Sequence, residues 1–356
     1  MSKTRWMIYG ANGYTGRLIA EEAHRQGLTP LLGGRDPAAV HALGTLFGLD
    51  CRVFGLDDRA SAAEALDDVA VLVNCAGPFS ATAAPMVEAC LASATHYADI
   101  TGEIAVFEQL HGLDEVARAA GVVLCPGVGF DVIPTDCVAA CLARAMPDAT
   151  RLALGFDSSS GLSPGTARTS VEALKLGGKV REGGVLRDVP LGYRRRDIDF
   201  GRGLRPAVTV PWGDVATAYY STGIGNIEVY LPAPAGVALG MRLIDPLRPL
   251  LGMDRVQDWL KEQVRRRVQG PDEAAREHQR TWVWGEVRNE RGERRSARLE
   301  TANGYEVTMH GALLAVRRLL YHRGGGGYFT PSQLFGERCV EELPGSSRIT
   351  IRGQDT

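Results

Sequence analysis

Lysine is scarce in this 356-residue chain: of 40 basic residues, Lys3, Lys175, Lys179 and Lys261 are the only lysines. No Tyr-x-x-x-Lys pair occurs, which removes the proton-donating couple of short-chain reductases. No Gly-x-Ser-x-Gly elbow, Walker-type lysine loop or histidine set at metal-ligand spacing is present either. Serine-hydrolase, P-loop and zinc-enzyme chemistry lose their motifs, and no metal is expected. The seven cysteines are odd in number and never form a Cys-x-x-Cys pair. Cys75, Cys90, Cys125, Cys137 and Cys141 sit in apolar segments, as small hydrophobes of a reduced, cytoplasmic chain would. Net charge is only −2, so overall electrostatics call for neither nucleic acid nor an anionic membrane. The first strand begins almost at Met1, and no secretory leader is expected.

Long apolar runs are also missing. The segment from Val229 to Met253 is rich in small and branched apolar residues. Pro232, Pro234, Pro246 and Pro249 break it, and Arg242, Asp245 and Arg248 charge it. A spanning helix needs about 20 uninterrupted apolar residues and is excluded. Core or dimer packing is the expected use of this segment, with an apolar substrate entrance or a membrane-grazing face as the alternative.

What is present is an ordinary globular composition, 45% hydrophobic and 23% charged, on a chain long enough for two domains. Trp6-Met7-Ile8-Tyr9 reads as a buried strand, Gly10-Ala11-Asn12-Gly13-Tyr14-Thr15-Gly16 follows at once, and Arg17 to Gln26 carries apolar residues at helical spacing. Strand, glycine turn and helix form the context of a dinucleotide-binding turn. Glycines let the backbone approach a pyrophosphate, and N–H groups at the helix start face its charge. Ala11 stands where the shorter G-x-G-x-x-G pattern has its first glycine.

The second strand, Pro30 to Gly34, ends in Arg35-Asp36-Pro37. A carboxylate here accepts from a ribose 2′-hydroxyl, whereas arginine meets a 2′-phosphate. Gly34 and Arg35 present the arginine first, and Asp36-Pro37 reads as a helix N-cap with a first-turn proline. NADP is therefore expected over NAD; the alternative leaves Arg35 on the surface and Asp36 on the ribose. After a third strand, Asp57 either borders the adenine or, like Asp58, caps the next helix. Strand Val69–Asn74 runs into Cys75-Ala76-Gly77-Pro78-Phe79, a small-residue turn expected beside the diphosphate and nicotinamide ribose. With His96–Ile100 and Val122–Cys125 there are six strand signals separated by helices, the doubly wound α/β pattern.

Four blocks together resemble the saccharopine dehydrogenase-like oxidoreductases. They are the Gly10–Gly16 turn, Asn74-Cys75-Ala76-Gly77-Pro78-Phe79, Tyr97-Ala98-Asp99-Ile100-Thr101-Gly102-Glu103 and Gly127 to Asp136. Ser163 to Ala167, Trp212-Gly213-Asp214 and Ser221 to Ile224 resemble the shorter branch of that family, which includes trans-acting enoyl reductases. The resemblance implies an NADP-binding Rossmann domain and a second mixed α/β domain closing over the nicotinamide. No clamp for an amino-dicarboxylic acid is evident.

The expected domains are a Rossmann domain over 1–130, joined by a C-terminal segment near 328–356, and a substrate and dimerisation domain over 131–327. The second half reads as α+β with a mixed or mostly antiparallel sheet, including a hairpin over Thr281–Val287 and Ser296–Glu300. Gly324 to Gly327 reads as a mobile loop near the substrate mouth or a linker, and Arg348–Ile351 as a last strand. Reduction then rests on orienting a small molecule over the nicotinamide, plus one proton donor. Candidates are Tyr97, Asp99, Asp131, Thr166, Asp214, Tyr219 and Tyr220, with Asp131 favoured for lining the site and Tyr219 as donor. Each residue type also has a plain use, since tyrosines fill cores and aspartates cap helices.

The leading expectation is an NADPH-dependent reductase of a polarised double bond, C=C in an apolar or polyketide-like compound. A C=N reductase and a non-catalytic NADP-binding sensor or scaffold are the alternatives, and a homodimer is expected in each case. Changing Arg35 to Ala is expected to raise the NADPH Michaelis constant far more than that for NADH; equal effects on both would overturn the NADP assignment.

Overall fold

A computed structural model describes residues 3–158, 171, 177–267 and 273–353. The chain divides into two compact units, Met1–Ile133 with Tyr305–Gly336, and Pro134–Gly304 with Glu337–Thr356.

The first unit alternates strands and helices in chain order: β1 (Arg5–Tyr9), α1 (Tyr14–Arg25), β2 (Leu31–Gly34), α2 (Pro37–Phe47), β3 (Cys51–Val53), α3 (Arg59–Glu64), β4 (Val69–Asn74), α4 (Phe79–Ala92), β5 (His96–Asp99), α5 (Ile104–His111), α6 (Asp114–Ala120) and β6 (Val123–Cys125). β1 and β4 are apolar almost throughout, and both are buried along nearly their whole length, as central parallel strands with two covered faces must be. With β15 (Gly327–Tyr328) from far along the chain, the sheet order is β15-β6-β5-β4-β1-β2-β3, and every pairing is parallel. The chain reverses direction across the sheet between β1 and β4, which opens a crevice at their carboxyl ends.

In the second unit the described elements are α7 (Ile133–Ala145), β7 (Arg151–Ser158), β8 (Gly178–Glu182), β9 (Val185–Val189), β10 (Arg195–Asp199), β11 (Leu204–Thr209), α8 (Asp214–Thr222), β12 (Asn226–Pro232), α9 (Ala235–Ile244), α10 (Arg248–Leu251), α11 (Asp254–Arg267), α12 (Glu273–His278), β13 (Arg280–Arg288) and β14 (Arg294–Ala302). Then α13 (Gly304–Leu320), β15 (Gly327–Tyr328) and α14 (Pro331–Phe335) precede a final strand, β16 (Thr350–Gly353). The second sheet runs β10-β11-β12-β7-β13-β14-β16, with β8 paired to β12 and β9. β12 and β7 are parallel and the other pairs antiparallel, so the sheet is mixed. The β13–β14 hairpin turns at Gly292, whose φ of +83° suits glycine. Cys137 and Cys141 are buried on α7, as expected of packing thiols.

Three readings are corrected. Of the run Gly324 to Gly327, read as a loop or a linker, the last residue is instead part of a strand. Gly326 lies so close to Ala117 and Val122 that a Cβ would strike both backbones, and Gly327 donates to Val122 O at 2.9 Å to begin a seventh strand of the first sheet. The segment returning to the first unit starts at Tyr305, well before residue 328, because α13 packs there. Residues after Gly336 go instead to the second unit, where β16 pairs with β14.

Helix α7 meets the second sheet at Gly285, where a Cβ would lie 2.6 Å from Val138 Cγ1 and 2.8 Å from Leu142 Cδ1. Gly285→Ala is expected to destabilise the chain by roughly 1–3 kcal/mol through overpacking. An unchanged thermal midpoint would show that α7 yields without cost.

Candidate functional site

The opening glycine turn is held at the crevice by its own main chain. Gly10 N and Ala11 N donate to Gly33 O at 2.9 and 3.2 Å, and Cys75 N donates to Tyr9 O at 2.8 Å. The first two tie the turn after β1 to β2, and the third draws the ends of β1 and β4 together. Gly10 has φ +77°, and a Cβ there would lie 2.8 Å from Ala76 N. A Cβ on Gly16 would strike Gly10 O, and one on Gly13 would sit 3.2 Å from it. No side chain caps α1, and its first turn contains no acid. The leading N–H groups of a helix have no intrahelical acceptor, so they suit an anion. This cradle, which side chains would fill, fits a dinucleotide diphosphate, with Gly10, Ala11, Asn12, Gly13, Tyr14, Thr15 and Gly16 supplying its walls.

At the end of β2, Gly34 admits Val40 and the Asn12 side chain, since a Cβ would lie 2.8 Å from Val40 Cγ2 and 3.2 Å from Asn12 Oδ1. Arg35 follows and is exposed. Asp36 caps α2, accepting from Ala39 N at 3.2 Å, with Pro37 in the first turn. Its carboxylate is thus committed to the helix while the Arg35 guanidinium faces solvent. Asp58 takes the cap of α3 from Ala60 N and Ser61 N, and Asp57 stays exposed. Tyr9 fills the space between, its ring 4.9 Å from that of Phe54 and its hydroxyl donated to Phe54 O at 3.1 Å.

The loops after β4, β5 and β6 are tied by a buried polar network. Asn74 accepts from Ala76 N at 3.0 Å, and its amide reaches Thr82 Oγ1 and the Tyr97 hydroxyl at 3.2 and 3.3 Å. Tyr97 donates to Asp99 Oδ2 at 2.8 Å, and Asp99 Oδ1 accepts from Thr101 N and Gly127 N. Tyr97 and Asp99 are fully buried. Burial pushes Asp99 up to about 6 against the pull of those donors, and holds the tyrosine well above its ordinary range. Sealed in this way, Tyr97 fixes the loop after β5 and presents no hydroxyl to a substrate. Desolvation, helped by the Asp99 carboxylate, keeps the Cys75 thiol protonated.

Glu103 ends this network with a role absent from the sequence reading. Its two carboxylate oxygens accept from Phe79 N and Ser80 N, each at 2.8 Å, and so cap α4 behind Gly77 and Pro78. One residue earlier, Gly102 leaves room for Asp131, whose Oδ2 lies 2.7 Å from where a Cβ would be. Asp131 is half-buried, and loss of hydration pushes it up to about 7. Helix α13 also reaches this edge from far along the chain. Thr308 Oγ1 accepts from Phe130 N at 3.0 Å and packs at Gly129, while the Tyr305 ring meets that of Tyr14 edge-on at 5.1 Å. No local pattern marks Tyr305 or Thr308 as parts of the edge.

The structure therefore gathers Cys75, Ala76, Gly77, Pro78, Phe79, Tyr97, Asp99 and Asp131 at the carboxyl ends of β4, β5 and β6 and in the turns that follow them. Asp214, Tyr219 and Tyr220 belong to α8 of the second unit. Asp214 is fully buried in the first turn. Tyr219 is half-buried under the Arg181 guanidinium, 4.4 Å from the ring centre, and Arg181 itself is fixed to Val215 O and Gly184 O. Thr166 lies outside the described residues.

Residues 6–125 match the model of the saccharopine dehydrogenase NADP binding domain. A mouse saccharopine dehydrogenase-like oxidoreductase is 28% identical over 150 residues, covering 36% of this chain and 35% of the mouse protein. A trans-acting enoyl reductase from Mycobacterium leprae is 31% identical over 140 residues, or 36% of this chain and 33% of that protein. The matched stretch thus spans about a third of these relatives. Among solved structures, the apo saccharopine dehydrogenase (L-Glu forming) of Saccharomyces cerevisiae superposes with TM-score 0.66 over 98% of this chain and 99% of that one, at 11% identity. It shares the fold. The cradle, the free Arg35 and the domain match agree on NADP as the dinucleotide.

Replacing Glu103 by Ala strips two main-chain N–H groups of a charged acceptor, a loss of roughly 0.5–2 kcal/mol for a helix cap. The expected result is a lower thermal midpoint and weaker NADPH binding by calorimetry, with Glu103→Gln intermediate. Wild-type values for the alanine variant would show that the α4 loop holds without it.

Proposed function

We propose, on the premise that residues 6–125 are a saccharopine dehydrogenase NADP-binding domain, that this chain is an NADPH-dependent reductase of a polarised double bond. The favoured substrate is a conjugated C=C in an apolar or polyketide-like small molecule. Relatives named trans-acting enoyl reductases, 31% to 33% identical across this domain, support that choice. Bound NADPH would supply the hydride. The chain must supply position and a proton.

Asp131 carries the reading. It sits on the loop after β6, beside Gly102 of the loop after β5, at the carboxyl edge where the nicotinamide half of a dinucleotide belongs. Held near 7, its carboxyl keeps a proton that an ordinary aspartate has lost, as a general acid near neutral pH requires. Tyr97 and Asp99 hold its neighbouring loop in place. The same acid supports a second reading, reduction of C=N, because an imine nitrogen must be protonated to accept hydride. The free thiols of the chain suit a reducing compartment, the cytoplasm.

A raised carboxyl is in its acid form below about 7 and loses the proton above it. Turnover is therefore expected to fall as pH rises through that value. Asp131→Asn should remove this limb and lower kcat by roughly 10²-fold or more. A variant with the wild-type pH profile would eliminate Asp131 as the donor. NADPH oxidation across enone, imine and ketone panels separates the two bond types, and stoichiometric NADPH binding without any oxidation would favour a sensor.

A further inference from the structure

The apolar segment expected to serve core or dimer packing is partly on the surface of the chain. Val237, Leu243, Leu250, Met253 and Trp259 are each more than half exposed, five of the eleven large hydrophobic side chains that the described residues leave exposed. They fall within 23 residues, four of them on the helices α9 to α11 and Met253 in the link before α11. Scattered exposed hydrophobes need no explanation, but five within so short a stretch of chain point to an interaction surface.

The charge around them is unlike that of the rest of the chain. From Val237 to Arg267 there are seven basic residues and four acidic ones, a net of +3 in a chain whose total is −2. Two of the four carboxylates are engaged locally, Asp245 with Arg248 at 3.1 Å and Glu262 with Arg266 at 2.6 Å. Arg255, Trp259, Glu262 and Arg266 fall on one face of α11, and Arg255, Trp259, Arg266 and Arg267 are exposed. No helix among the described residues is long and apolar enough to cross a membrane.

We propose that α9 to α11 form a docking face for an anionic lipid bilayer, lying on its surface. Apolar side chains then enter the headgroup and acyl boundary while the arginines face lipid phosphates. A second copy of the chain is disfavoured as occupant. A two-fold interface pairs a patch with itself and would set +3 against +3. The proposal stands apart from the reductase reading, because it concerns where the chain sits and needs no turnover.

The test is flotation of the full chain with vesicles of phosphatidylcholine alone, and with vesicles containing about a quarter phosphatidylglycerol. Flotation is expected with the anionic vesicles only, and is lost at high salt because exposed charges are screened. Leu243→Asp and, separately, Arg266→Glu with Arg267→Glu should each cut the floated fraction roughly fivefold or more. Both variants should keep NADPH affinity and far-ultraviolet circular dichroism, which separates lost docking from lost folding. Failure to float with either vesicle, or equal flotation with neutral lipid, overturns the proposal. So does a dimer in sedimentation equilibrium that Leu243→Asp dissociates, which assigns the face to a second copy.

Discussion

A main-chain approach that tolerates no side chain sets the carboxyl edge of the first sheet. Gly10 lies so close to Ala76 that a Cβ would sit 2.8 Å from its nitrogen. The neighbouring bond from Cys75 N to Tyr9 O keeps the two turns in register. Everything else at the edge depends on that closeness. It aims the uncapped start of α1 into the crevice, and it places Asn74 to receive Ala76 N and reach Tyr97. Any larger residue at Gly10 would separate β1 from β4 at the point where a dinucleotide must cross them.

Two aspartates, Asp99 at the end of β5 and Asp131 on the loop after β6, show how environment divides one residue type. Asp99 is sealed, and three donors return part of the hydration it loses, so it acts as a brace. Asp131 is half-buried and is pushed higher, to about 7, by desolvation alone. The first builds the wall. The second borders Gly102 of the neighbouring loop and keeps part of its surface open.

Much of this fold was readable because the decisive signals are local. The glycine spacing after β1, the Asp36-Pro37 helix start and the β13–β14 turn each need only a few consecutive residues. What escaped the sequence depends on distance along the chain. Glu103 caps α4 from 23 and 24 residues away, and Thr308 meets Phe130 across 178 positions; neither contact leaves a periodic trace. The β8–β9 hairpin is different. Gly183 and Gly184, both with positive φ, form the two-residue glycine turn that favours such hairpins, so its signal was present and passed over. The stretch over 229–253 left core and dimer packing undivided for another reason, since composition records how apolar a segment is but not which way it faces. Of the candidate site, the sequence named the loops, while the bonds that tie them together became visible only in three dimensions.

The seventh strand of the first sheet has a consequence for synthesis. β15 and α13 belong to the first unit but follow all of residues 134–304 in the chain. A ribosome adding ~5–20 residues each second needs on the order of ten seconds or more to deliver them. Throughout that interval β6 has a bare edge, and Phe130 waits for Thr308. An open parallel edge invites pairing with other chains. The most exposed moment of this protein therefore comes on the ribosome, before residues 327 and 328 exist, and chaperones that shield strand edges would act then.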